Sequence, residues 1–309
     1  MLIETPRRLH LGIIDPSGTL GRRFGSLGVA IDDGYLLKLE KNDRMKIIAE
    51  EEDSRDVLQV LKILDEKLGT GFDYLVEVKR FIERHVGFGS TTQIKLAVGF
   101  GVAKINKIEI EVERLAEILG RGKNSGVSTY IFKYGGFVVD GGVKSGFPPL
   151  VIREELPKDW GFLLIIPELK RGLDEEEEKP IMKSVYGKPE CAEKIAHRII
   201  LGLIPAIKER NIEDFGRYLT EIQSFVGKHF EEYQGGEFRE DLKFITDFLR
   251  QKTYGFGQSS WGPTIYGLIY KSSFENLKAE AEDYLREYGI KGKVELGNPR
   301  NFGSRILNF

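Results

Sequence analysis

Cysteine occurs once in this 309-residue chain, at Cys191. A lone thiol excludes an internal disulfide and a thiolate metal cluster. Histidine is almost as scarce, and His10, His85, His197 and His229 include no pair at the spacing of a zinc-binding helix. Long apolar runs are missing too: none approaches the length of a membrane-spanning helix, and the opening MLIETPRRLHLG has no signal-like apolar stretch. A cytoplasmic protein with no membrane partner is the expectation. Charge of one sign does not dominate, since 46 Lys and Arg face 48 Asp and Glu. That balance argues against a dedicated binder of nucleic acid. The P-loop pattern GxxxxGK(S/T) is absent, and the dinucleotide fingerprint fails where Thr92 takes the third small-residue place of GFGSTT.

What is present is the composition of a folded enzyme, with 41% hydrophobic and 30% charged residues in a length suited to one large or two medium domains. Alternation marks SLGVAI, YLLKLEK and FDYLVEVKR as strands, while SRDVLQVLKILDEKLG sets Val57, Leu61, Leu64 and Leu68 on one helical stripe. Prolines in SGFPPLVIREELPKDW suggest a boundary that divides the chain into residues 1–157 and 158–309. Beyond it GFLLIIP reads as a strand and LDEEEEKP as a solvated charged loop. Amphipathic helices are expected near 189–209, 211–232 and 236–253, then a strand at 263–270, a helix at 273–288 and a last strand at GKVEL. The pattern is α+β in two halves, the second richer in helix.

Three glycine-rich segments stand beside apolar helices or strands: GFGSTTQ at 87–93, GRGKNSG at 120–126 and YGFGQSSWGP at 254–263. Together they suggest one cleft lined by backbone donors. In the first, Gly87 and Gly89 allow close backbone approach, and Ser90, Thr91, Thr92 and Gln93 open a helix. A helix start of this kind suits an anion, most often phosphate, although a well-capped core helix has the same signature.

The same segments, in the same order, resemble the motifs of the GHMP kinase superfamily over essentially the whole chain. TPRRLHLGIID stands at the N-terminal motif, HVGFGSTTQIKLAVG at the phosphate loop and GFGQSSWGPTIYGL at the C-terminal glycine motif. The resemblance implies a two-domain GHMP kinase-like α+β fold whose C-terminal domain is ferredoxin-like. Within the superfamily the chain is most similar to the β-ribofuranosylaminobenzene 5′-phosphate synthase family. RLHLGIID, NSGVSTYIFKYGGFVVDGG, FPPLVIREELPKDW and FGQSSWGPTIYG carry that likeness. It implies a step of methanopterin biosynthesis in which phosphoribosyl pyrophosphate joins 4-aminobenzoate or 4-hydroxybenzoate, with loss of carbon dioxide and pyrophosphate. Mg²⁺ is implied and ATP is not. The metal ligands and the oligomeric state, a homodimer included, stay open.

Under this resemblance GFGSTTQ cradles phosphate or pyrophosphate. Asp15 stabilises the ribosyl cation, or else forms the turn before PSG. Arg22 and Arg23 grip a phosphate or the benzoate carboxylate, or else belong to a solvated basic loop. Arg7, Arg8 and His10 are weaker candidates; Arg8 and His10 share a strand face, so at least one is expected to meet the cleft. Trp261 offers the acceptor a ring to stack on, or else packs in the core, and Gln258, Ser259 and Ser260 make polar contacts. Ser125 and Gly126 join the binding set. Superfamily kinases carry an acid soon after a Ser-Gly pair, whereas here none follows until Asp140. An ATP-dependent small-molecule kinase and a non-catalytic metabolite-binding protein are the competing readings.

Overall fold

The computed structural model describes residues 1–307. The first half runs β1 (Leu2–Glu4), β2 (Arg7–Asp15), β3 (Phe24–Ile31), β4 (Leu36–Lys41), β5 (Lys46–Ile48), α1 (Glu51–Leu68), β6 (Tyr74–Arg80), α2 (Ser90–Ile105), α3 (Val112–Ile118), α4 (Val127–Tyr134), β7 (Phe137–Asp140) and β8 (Leu150–Glu154). The second adds β9 (Trp160–Pro167), α5 (Glu175–Ser184), α6 (Pro189–Arg198), α7 (Ile204–Glu209), α8 (Ile212–Gln234), α9 (Lys243–Lys252), β10 (Gly255–Gln258), β11 (Ile265–Tyr270), α10 (Phe274–Glu287), β12 (Gly292–Gly297) and β13 (Arg305–Leu307).

The helices follow from their apolar spacing. In α1, Val57, Val60, Leu61 and Leu64 are all buried, acidic residues fill the first turn, and Gly69 ends the helix in the left-handed conformation. Helix α2 is buried nearly all round and forms the axle of the first half. Its charged Lys95 is tolerated because Asp56 lies 3.2 Å away. Arg84 joins the same buried network, pairing Asp53 and Asp56 and donating to Thr91 Oγ1 at 3.1 Å.

Three sheets result, ordered β13-β1-β4-β6-β5, β2-β3-β7-β8 and β10-β11-β9-β12. The last is fully antiparallel. With its strands numbered by their order in the second half, the sheet reads 4-1-3-2 from β12 to β10, the ferredoxin-like arrangement. The expected α+β class and the ferredoxin-like second half are thus in place. The division at 157/158 is less clean than the proline-rich stretch suggests. β13 returns to pair with β1, and one hydrophobic cluster runs from Ile3 and Ala97 through Trp160 to Phe215.

Most expected elements appear within a few residues. The long helix at 189–209 contains a π-helical stretch at Ile199–Leu203, and 236–253 is helical only from Glu240. The acidic run requires a correction. LDEEEEKP is largely solvent-exposed, as expected, but it is the start of α5 rather than a loop: Asp174 caps it, and the Glu177 side chain accepts from the Asp174 N–H. This reciprocal cap satisfies orphan donors at a helix start that four successive carboxylates also favour electrostatically.

Candidate active site

A cavity of about 600 Å³ opens between β2, the 120–126 turn, the start of α4, α5, α8 and the 258–261 turn. One end is cationic. Arg8, on β2, donates from Nε to Ser128 Oγ at 2.9 Å and from Nη1 to the Gly87 carbonyl at 3.3 Å. Arg121 donates from Nε to Thr92 Oγ1 at 3.1 Å and pairs with Glu175 of α5. Lys123 also faces this end. Burial pulls the Arg8 guanidinium down to about 10, against the attraction of Glu178 and with the repulsion of Arg121. It therefore stays charged at neutral pH. Burial, then the Arg8 charge, pushes the His10 imidazole well below its usual value, so that side chain is neutral.

The other end is apolar. Ile13, Phe24, Met182 and Phe230 form a cluster with Val226 and Trp261 packed on it. The Trp261 and Phe230 rings meet edge to face with centroids 5.2 Å apart. Arg23 lies 4.8 Å over the Phe24 ring, with Nε on the Pro16 carbonyl and Nη2 on the Val185 carbonyl. Between the two ends, Trp261 Nε1 donates to Glu178 Oε1 at 3.1 Å. Burial raises the Glu178 carboxyl, outweighing that bond and the nearby Arg8 and Arg121 charges.

The structure sorts the residues expected from the sequence. Arg8, His10, Arg23, Thr92, Ser125, Gln258, Ser260 and Trp261 line the cavity. Of the loop GFGSTTQ, Thr92 alone does so. Thr91 serves Arg84, Gln93 Nε2 donates to the Ser128 carbonyl at 2.9 Å, and Ser90 is buried. Gly87, with φ +104, is needed because a Cβ there would collide with the Ser259 carbonyl oxygen. Gly89 caps α2 with no side-chain hydrogen bond, and a Cβ there would stand 3.1 Å from Arg8 Nε and 3.2 Å from Ser128 Oγ. The helix start therefore abuts the cationic end from behind Arg8.

Other assignments shift. Ser259 is fully buried and ties three segments together: its Oγ donates to the Gly87 carbonyl at 2.7 Å and accepts from the His10 N–H at 3.0 Å. Arg7 ion-pairs with Glu295 at 2.8 Å and lies over Phe88, away from the cavity. Asp15 and Arg22 do not line the cavity. The Asp15 carboxylate accepts from Ser17, Gly18 and Thr19, which makes it the organiser of the loop carrying Arg23. Arg22 is exposed and reaches the Gly142 carbonyl at 3.2 Å.

Gly126 sits behind Ser125, held by a residue distant in sequence. Asp140, at the end of β7, accepts from the Gly126 N–H at 2.9 Å, the Gly142 N–H at 2.9 Å and Ser125 Oγ at 3.3 Å. It is fully buried and does not line the cavity, so its carboxylate shapes the Ser-Gly turn without meeting a bound hydroxyl. Sequence reasoning passes over Arg121, Lys123, Met182 and Phe230, and takes Glu178 as part of a solvated acidic run. The two cations are visible inside GRGKNSG, but the α5 and α8 residues give no local signal.

A ferredoxin-like unit and a glycine loop feeding a buried helix, closed around one cleft, define a protein of the GHMP kinase class. Residues 55–136 match the GHMP kinases N terminal domain and residues 203–287 match GHMP kinases C terminal. The structure of Methanococcus jannaschii mevalonate kinase aligns with a TM-score of 0.68 at 18% identity, covering 97% of this chain and 98% of that one. Lactococcus lactis galactokinase gives 0.71 at 14% identity over 99% and 95%. Identities this low speak for fold alone. Sequence relatives narrow the class. The β-ribofuranosylphenol 5′-phosphate synthase of Archaeoglobus fulgidus is 31% identical, with 98% of each chain covered. That of Methanocaldococcus jannaschii is 30% identical over 99% of this chain and 100% of the relative. The chain belongs to the β-ribofuranosylphenol 5′-phosphate synthase family of enzymes.

Proposed function

We propose that this enzyme joins phosphoribosyl pyrophosphate to 4-hydroxybenzoate or 4-aminobenzoate, releasing carbon dioxide and pyrophosphate. The observation that carries the reading is the two-ended cleft. Arg8, Arg121 and Lys123 suit a polyanion, while Phe24, Met182, Phe230 and Trp261 suit an aromatic ring. A substrate pair of one phosphorylated sugar and one benzoate needs both ends at once. Arg23, on the apolar side, makes no hydrogen bond through Nη1 within the described residues, which leaves that group for the acceptor carboxylate or the 5′-phosphate. The relatives' name speaks of a phenol, which favours the hydroxyl acceptor.

Mg²⁺ would enter with the pyrophosphate, as a hard cation that keeps several waters. Among the described residues no group of three or more His, Cys, Asp or Glu could hold a metal ion, so pyrophosphate oxygens and water would supply most of its coordination. ATP takes no part in this reaction. The kinase reading has the fold in its favour, but Asp140 is sealed behind Ser125 and presents no base to a hydroxyl in the cleft. Incubation with phosphoribosyl pyrophosphate and carboxyl-labelled 4-hydroxybenzoate should release labelled carbon dioxide. Label retained with that donor, together with phosphoryl transfer from ATP to a small alcohol, would replace this reading by the kinase.

A further inference from the structure

The carboxylate expected at the sugar, Asp15, is engaged in a turn, yet the cleft holds another. Glu175, Glu178 and Met182 follow one another at i, i+3 and i+7 on one face of α5, and all three line the cavity. Their order along the helix maps the two ends of the cleft. Glu175 pairs with Arg121 at the cationic end, and Met182 packs in the Phe24–Phe230 cluster. Seven residues of helix separate them, about 10 Å at roughly 1.5 Å per residue. Glu178 lies between, facing Arg8 and Arg121 on one side and anchored by Trp261 on the other.

With pyrophosphate at the arginines and the benzoate ring against Phe230 and Trp261, the atom between them is C1 of the ribose. We propose that Glu178 is a catalytic residue: its carboxylate faces C1 and stabilises the positive charge that develops there. This rests on the glycosyltransfer reading above. The C1–oxygen bond breaks and its electron pair leaves with pyrophosphate. The ring carbon bearing the carboxylate gives a pair to C1, forming the carbon–carbon bond. The bond to the carboxyl carbon then breaks, its pair restores the aromatic ring, and carbon dioxide departs. No proton need be transferred. The tryptophan bond occupies Oε1, and Oε2 makes no hydrogen bond within the described residues. Burial, the largest influence on this carboxyl, makes its charge costly in the free enzyme. A cation arriving beside it relieves that cost at the transition state more than in the ground state.

The test is E178Q, which keeps an acceptor for Trp261 and removes the charge. Turnover should fall about a hundredfold. Donor affinity, read from melting shifts, should hold or tighten, because a negative group beside Arg8 and Arg121 has gone. E193Q, on the exposed face of α6 and outside the cavity lining, should match wild type. A residue that merely offsets the arginines would give tighter donor binding with unchanged turnover, and that result overturns the proposal. Should E178Q lose its melting transition, E178D keeps the charge but draws it back by one methylene; turnover equal to wild type would then count against Glu178. If wild type itself releases no carbon dioxide from the labelled acceptor, the reaction reading falls and this one with it. Release by wild type with an unaffected E178Q removes Glu178 alone.

Discussion

Arg22 and Arg23 are adjacent and chemically identical, yet the fold gives them different surroundings. Arg23 is held over Phe24 by two backbone carbonyls at the cavity wall, whereas Arg22 is exposed on the same loop. Replacing Arg23 by lysine keeps charge but loses the planar fork that both carbonyls use. Arg23→Lys should therefore raise KM at least about tenfold, while Arg22→Lys stays within about twofold, by steady-state kinetics on both substrates. Larger loss at Arg22 would return that residue to the site. Asp140 titrates abnormally: burial raises its carboxyl to about 6, against the pull of hydrogen bonds from Gly142, Gly126 and Ser125. The folded state thus binds a proton more readily than the unfolded one. The cost of holding the charge is present in full above about pH 6 and is relieved as pH falls from there towards about 4. In Asp140→Asn this titration disappears, and an amide N–H₂ meets one of the backbone N–H groups that the carboxylate satisfies. The variant should therefore lack the stabilisation that wild type gains from Asp140 as pH falls from about 6 towards about 4. Melting temperatures across the acid and neutral range check both statements.

Helix α5 decides the shape of the cleft although it contributes little to the core. It has 10 residues, with Met182 its one buried side chain, and Pro180 lies inside it. Isolated helices of this length are marginal, so its order rests on the cap at Asp174 and on its contacts across the cavity. The Asp174 carboxylate accepts from the Glu176 and Glu177 N–H groups at 2.9 Å each. Asp174→Ala removes a cap typically worth about 1 kcal/mol. Global melting should hardly move, while hydrogen exchange at 175–179 quickens and KM rises for both substrates. Unchanged exchange there would mean that packing against the cleft, not the cap, orders the helix.

Besides the hydrophobic cluster that spans both halves, a few buried hydrogen bonds join them. Ser259 links β2, the glycine loop and the C-terminal turn through its hydroxyl. Ser259→Ala leaves the Gly87 carbonyl and the His10 N–H without that partner in a dry place. Stability should drop by about 1–3 kcal/mol, seen in denaturant unfolding, with turnover per folded molecule largely kept. Loss of turnover at full stability would make Ser259 a substrate contact.

Local signals in the sequence determine a good deal. Helix α1 is legible because Val57, Leu61 and Leu64 repeat at the helical period, and α2 because glycines precede a continuous apolar run. The scarcity of cysteine and histidine, and the three glycine-rich segments beside apolar helices or strands, are equally plain in the sequence. Periodicity is a property of neighbours in the chain, so such features need no fold to be seen. The start of α5 reads as loop because four consecutive glutamates have no apolar stripe, and its cap is recognisable only once the chain turns there. The cleft itself belongs to tertiary structure alone. Asp140 reaches back to Ser125, Trp261 crosses to Glu178, and β13 returns to β1, over separations that no spacing rule encodes. Which carboxylate faces the cleft depends on packing: Asp15 is drawn into its own turn by near donors, and Glu178 is presented to the cavity by a helix whose position the rest of the core fixes.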